Sequence, residues 1–204
     1  MGARSRASSC GAGRNFASTA NDQLTRPRAG VSHGRVARTP DRNTVDLSQY
    51  PDLVVIYLGM RARSLRGLRT LISFGPKIRK SVDAEPDGLL LHENIVFSLL
   101  PPHLGMRQYW RDFDSLERWA RSLPHQEWWQ TFLRDRGGTG FWHETYPRRG
   151  EVESIYIDMP QVGMAKFAPL KQARGSMFSA RRRLGLQTGD EPPPGISEEE
   201  LYQS

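Results

Sequence analysis

The heptapeptide Gly140-Phe-Trp-His-Glu-Thr-Tyr146 gathers the densest set of chemically able side chains in this 204-residue chain. An imidazole beside a carboxylate, flanked by tryptophan and tyrosine, is suited to general acid–base work, and histidine can also ligate an iron. Side chains alternate along a strand, so Trp142, Glu144 and Tyr146 share one face while Phe141, His143 and Thr145 share the other. His143 and Glu144 therefore cannot both enter one pocket unless a bulge intervenes, and which of them faces it stays open. The same dipeptide recurs as His92-Glu93, with His92 and Asn94 on the face opposite Glu93. The competing reading of each histidine is a hydrogen-bonded residue that fixes a strand end or a dimer seam. For Trp110, Trp128 and Trp129 a core role is the simpler reading, and Arg181-Arg182-Arg183 reads as a solvated helix end.

The chain lacks GxGxxG, P-loop, CxxC, HExxH and GxSxG motifs, which removes support for dinucleotide, nucleotide-phosphate, structural-zinc and nucleophile-elbow chemistry. Its net charge of +7 is unevenly spread. Residues 1–44 hold eight arginines against two aspartates, residues 187–204 hold five acids and no base, and the 142 residues between them hold 21 basic against 15 acidic side chains. A mildly basic centre is a weak argument for a nucleic-acid partner. No run approaches the roughly 18 to 20 apolar residues that cross a bilayer. The single cysteine, Cys10, excludes an internal disulfide framework and favours a reducing, cytoplasmic setting.

Residues 1–44 are rich in Arg, Ser, Ala and Gly without apolar periodicity and read as a disordered basic extension; residues 187–204 read as an acidic disordered tail. Between them, residues 45–186 form the domain. Leu53 to Leu58 is apolar on both faces, as a central strand is. Ser64 caps a helix through Val82 that Gly75-Pro76 kinks or divides. Leu89 to Leu100 and Leu104 to Arg111 pair as a hairpin. Asp114-Ser-Leu-Glu117 resembles a capping box opening a second helix that runs on past Pro124. Phe141 to Tyr146 and Val152 to Met159 are further strands, Gln161 to Pro169 is loop, and Ser176 to Leu184 is a short basic helix ending at Gly185. This order is α+β, a ferredoxin-like βαββαβ sandwich with an extra strand. Both sheet faces carry large apolar residues, so the expected cover for the second face is another copy of the same sheet in a homodimer.

Five stretches in order resemble a known family: Leu53 to Arg61 (LVVIYLGMR), Gln108 to Trp119 (QYWRDFDSLERW), Gly140 to Tyr146 (GFWHETY), Glu153 to Pro160 (ESIYIDMP) and Arg174 to Gly185. They are similar to a bacterial and fungal family, once a domain of unknown function, akin to the antibiotic-biosynthesis-type monooxygenases; its named relative is the monooxygenase of the fumagillin pathway. The resemblance spans about residues 46–186. It implies a dimeric α/β barrel that oxidises a polyketide-like or aromatic small molecule with molecular oxygen, without a dedicated organic cofactor or metal. The deprotonated substrate would itself give an electron to oxygen, with the protein supplying a base, orientation and a dry pocket. His143, Glu144 and Tyr146 become the catalytic candidates, and Trp142, Trp110, Tyr109, Arg111 and His92 the substrate-binding ones. Two alternatives follow from the same resemblance: a haem enzyme ligated by His143 or His92, and a non-catalytic dimer that holds a small apolar ligand. The partners expected are a small molecule and a second copy of the chain, with neither nucleic acid nor membrane.

Overall fold

The two-sided apolar strand occupies the position its composition requires. In a computed structural model, which describes residues 39–186, 193 and 195–203, β2 (Val54–Ala62) lies inside a four-stranded sheet with β3 (Leu89–Leu99), β4 (Pro102–Trp110) and β5 (Thr139–Pro147). The order is β3-β4-β2-β5 and every pairing is antiparallel. With helices after the first and third of these strands, the chain is an α+β ferredoxin-like fold. The register puts Val54, Ile56, Leu58 and Met60 on one face, alongside Trp110, Gln108, Met106 and Leu104 of β4 and Thr145, His143 and Phe141 of β5. This is the helix face.

Helix α1 (Leu65–Asp83) starts where expected, with Gly67 N–H donating to Ser64 Oγ at 3.2 Å. It is neither divided nor ended by Pro76, which lies inside it. Pro76 is exposed, so water can take up the carbonyl that the ring leaves unpaired. The next helix is capped two residues earlier than the capping-box pattern indicated. Asp112, not Asp114, accepts from Ser115 N–H at 2.7 Å and opens α2 (Phe113–Arg121). Hydrogen bonds from Arg111 and Ser115 hold the Asp112 carboxyl down to about 2. Helix α3 (His125–Arg134) follows Pro124.

The second face departs from expectation. The strand read over Val152 to Met159 shortens to β6 (Tyr156–Ile157) and leaves the main sheet. It pairs with β1 (Arg42–Val45), which in turn pairs with β7 (Leu170–Gln172), in a separate three-stranded sheet. Part of the apolar surface reserved for a second copy is thus covered within the chain: Val45, Leu47, Ala165 and Ala168 bury against Leu53 and Tyr109, with Phe167 packed beside them. Most of β1 falls in the stretch read as a disordered extension; residues 1–38 of that stretch, Cys10 included, lie outside the described residues. The stretch read as loop contains a 3-10 helix, Gly163–Lys166. Among the described residues the strands form two open sheets and no closed barrel.

The other end also carries more structure than its composition indicated. After a 3-10 turn at Gly175–Met177, helix α4 (Ala180–Arg183) ends at Gly185, whose φ of 65° is the left-handed conformation a helix terminus needs. Arg183 is buried rather than solvated: it pairs with Glu153 and donates to the carbonyls of Met177 and Phe178 at 2.7 and 2.8 Å. Within the acidic tail, α5 (Glu198–Gln203) sets Glu198 to accept from Gly175 N–H. Among the described residues no helix is long and apolar enough to cross a membrane.

Candidate functional site

The helix layer does not cover its sheet completely. Helix α1 on one side and α2 with α3 on the other stand apart over β2 and β5 and leave a groove of about 650 Å³. Its floor is Ile56, Leu58, Met60, Phe141 and His143; its walls include Phe74 and Ile78 of α1 and Trp119, His125, Trp129 and Phe132 of α2 and α3. The size and the mostly apolar lining with a few polar groups are those of a small-molecule site.

Two imidazoles reach this groove from different elements. Strand β5 pairs with β2 without a bulge and sets His143 opposite Leu58, so the helix face carries His143 and the second face Glu144. As β5 is an edge strand, the His143 side chain is also open to solvent at the groove. His125 is the first residue of α3. Its Nδ1 lies 2.8 Å from the Ala120 carbonyl oxygen, which only accepts, so the proton sits on Nδ1 and Nε2 keeps a free lone pair. Burial pushes its pKa below the usual imidazole value, favouring the neutral ring. A neutral imidazole with one N–H tied to a backbone carbonyl is the form in which histidine binds metals. In sequence the aromatic face of α3 reads simply as core. His125 falls on that face at helical spacing with Trp128, Trp129 and Phe132, and this spacing is the signal that could have disclosed it.

The remaining expected site residues do not gather around the groove. Trp142, Glu144 and Tyr146 face the other side of the sheet. There Tyr146 O–H donates to Glu144 Oε2, which raises the phenol's pKa, and Trp142 Nε1–H donates to His103 Nε2 at 2.8 Å. That contact needs Gly59 beneath it, since a Cβ there would lie 2.7 Å from Trp142 Nε1. Tyr109, on the same face, is buried against Phe167 with ring centroids 5.3 Å apart, and burial raises its pKa. Beside it Arg107 pairs with Glu93 and donates to Tyr57 Oη at 3.0 Å. Burial alone would raise the Glu93 carboxyl, but Arg107 and the Gly163 N–H outweigh it and bring its pKa down. Trp110 is fully buried on the helix face, beneath Trp119. Arg111 lies past the end of β4, bound to Asp87, Asp112 and Ser115, where it ties α2 to the sheet. His92 is on the helix face in a second groove along the opposite side of α1. Among the described residues, no three His, Cys, Asp or Glu side chains gather as a metal-ion site.

Residues 53–164, more than half of the chain, match the family model described as monooxygenase af470-like. The chain belongs to the monooxygenase af470-like family. The match runs from the start of β2 into the 3-10 helix after β6, so it takes in the whole four-stranded sheet, α1 to α3 and both imidazoles of the groove. Among curated proteins, this af470-like chain is similar to the aliphatic aldoxime dehydratases of Rhodococcus erythropolis and Rhodococcus globerulus. Each is 39% identical over 59 residues, which is 27% of this chain and 17% of the dehydratase. Among solved structures, an aldoxime dehydratase in complex with butyraldoxime aligns with a TM-score of 0.55 and 26% identity, covering 71% of this chain and 42% of that one. A second aldoxime dehydratase structure aligns with a TM-score of 0.54 at 23% identity, a likeness of fold. The af470-like chain thus spans less than half the length of the dehydratases it matches. Family and relatives agree in pointing to an enzyme.

Proposed function

We propose that this af470-like protein is a monooxygenase that oxidises a hydrophobic, enolisable or aromatic small molecule in the groove between its sheet and helices, with His143 as the base. The observation that carries this reading is His143 itself, the titratable side chain of the GFWHETY heptapeptide that lines an apolar groove of about 650 Å³. Apolar walls favour an aromatic or polyketide body and weaken its hydration. Removal of an acidic C–H or O–H proton by His143 leaves an electron-rich anion, which passes one electron to dioxygen. Recombination of the radical pair forms a C–O bond, the peroxide anion takes the proton back from His143, and the hydroperoxide then loses water with the remaining hydrogen of that carbon to leave a carbonyl. One oxygen atom enters the product and the other leaves in water, and the substrate supplies all the electrons. With ¹⁸O₂ and a panel of polyphenols and polyketides, the expected result is one labelled oxygen atom per product. Turnover with label drawn only from water would refute the reading.

A second reading is favoured by His125 and by the likeness to the aldoxime dehydratases: a haem enzyme of the same fold. The residues fit such a group. The Nε2 of His125 is an available ligand, its Nδ1–H is already tied to Ala120, and the lining is apolar. When bound, haem would supply an iron centre able to activate oxygen or polarise a bound oxime. On that reading His125, rather than His143 or His92, holds the group, and His143 remains the proton-transfer residue. Pairing of two copies is supported by the exposed Phe97 and Tyr146 on the uncovered part of the second sheet face. Native mass spectrometry reads both points: the haem reading expects one haem mass per chain, lost in His125→Ala, and the dimer expects twice the chain mass. An apoprotein that takes up no haem when it is offered would exclude the haem reading, and a single chain mass would exclude the dimer.

A further inference from the structure

On the other side of α1 lies a second groove of about 980 Å³, which shares Leu58, Met60, Phe74, Ile78 and Met106 with the first. A line of polar side chains crosses the sheet into it. The direction of every hydrogen bond in that line follows from its buried end. The indole of Trp110 only donates, and its Nε1–H meets Gln108 Oε1 at 3.2 Å, which orients the Gln108 amide. Gln108 Nε2 must then be the donor to His92 Nδ1 at 3.2 Å. With Nδ1 accepting, the neutral ring carries its proton on Nε2 and donates it to Asn94 Oδ1 at 3.2 Å. Trp110 and Gln108 are fully buried, so this chain of donors is shielded from exchange with water over its first half. Burial also disfavours the charged form of His92. The line ends in the amide NH₂ of Asn94, whose side chain lines the groove and is exposed.

We infer that the Asn94 amide is a specificity-determining donor that binds an acceptor oxygen, such as a ketone, quinone or oxime oxygen, of a ligand whose apolar body lies along Leu58, Met60 and Phe74. This deepens the reading of the helix face as a small-molecule site and rests on it: the substrate class becomes a long apolar molecule with a hydrogen-bond acceptor remote from the carbon that His143 deprotonates. The relay itself takes no proton. It holds Asn94 with Oδ1 turned inward, so that only donors face the ligand. His92 is thereby a positioning residue, since both of its ring nitrogens are committed within the protein.

The test uses prodan, an aminonaphthalene bearing one ketone, and its ketone-free parent dimethylaminonaphthalene, with both affinities measured by fluorescence titration of the full chain. The wild type is expected to bind prodan about five- to tenfold more tightly than the parent, the worth of one net neutral hydrogen bond. Asn94→Leu and the isosteric Asn94→Asp should each abolish that preference and leave the affinity for the parent within about twofold. Because Asn94 is exposed, neither change opens the core. A ketone preference that survives in both variants overturns the inference. Failure of the wild type to bind either probe at up to about 1 mM would instead overturn the small-molecule reading beneath it. An Asn94-dependent preference without oxygen incorporation would uphold the site and reject the monooxygenase.

Discussion

His143→Ala is expected to lower turnover by about 10²- to 10⁴-fold, the range over which a positioned general base contributes, with the fold intact. The two halves of this expectation have separate physical grounds. His143 is exposed on an edge strand, so truncating it exposes no core surface and should shift the thermal midpoint little. Its neighbour Glu144 supplies the internal control. The two residues are adjacent in sequence, but the pairing of β5 with β2 sends them to opposite faces: His143 to the groove, Glu144 to a contact with Tyr146. Glu144→Ala should therefore keep activity within a few-fold of wild type. The measurement is kcat and KM for both variants on the substrate found by oxygen labelling, with circular dichroism as the check on folding. Loss of activity in Glu144→Ala with retention in His143→Ala would assign the chemistry to the second face and reject the groove.

How far these residues disclosed themselves in sequence depended on whether their signal was local. The alternation in GFWHETY separates His143 from Glu144 because a strand repeats every two residues, and β5 obeys that period without a bulge. The order of elements identified the ferredoxin-like sheet for the same reason: each strand and helix carries its own period. The cap of α2 was misplaced by two residues because Asp112 and Asp114 are both able to cap, and the choice is made by Arg111, which bonds to Asp112 and to Asp87 across the loop. The part of the second face that the chain covers itself is not legible in sequence, for a more general reason. Strand β6 is only two residues long and gains its partners from residues more than a hundred positions away in β1, so nothing within its own window marks it as a member of a separate sheet. The Trp110–Gln108–His92–Asn94 line was likewise hidden. Trp110, Gln108, His92 and Asn94 each alternate correctly, but their register across β3 and β4 passes an irregularity between Leu89 and Leu91 that sequence periodicity cannot foresee. Trp110 and Arg111 enter the pocket set only through the family resemblance; burial places Trp110 in the core, as its residue type alone suggests, and ion pairing places Arg111 at the junction with α2.

Trp110→Ala is the substitution expected to cost most stability, about 4 kcal/mol, read from the urea midpoint at constant m-value. Trp110 is completely buried, packs with Val54 and Leu116, and lies 5.4 Å from Trp119 between ring centroids. Removing the indole leaves a cavity among side chains held by two strands and a helix, which cannot collapse without moving the sheet. A domain is stable by only about 5 to 15 kcal/mol, so this loss would populate the unfolded chain measurably. Trp110→Phe separates packing from hydrogen bonding. Phenylalanine restores most of the volume but no donor, and Gln108 Oε1 is left buried without its partner, a cost of about 1 to 3 kcal/mol. The same change frees the Gln108 amide to turn over, which would present its oxygen to His92 Nδ1 and require the proton to move to that nitrogen. With His92 Nε2 then accepting, Asn94 would turn its own NH₂ inward and its oxygen outward. Trp110→Phe should thus weaken the ketone preference of the groove, although Trp110 touches no ligand there. If Trp110→Phe loses stability but leaves the preference whole, the indole is core and nothing more. If both fall together, the core contact that stabilises the sheet also determines which end of Asn94 the groove displays.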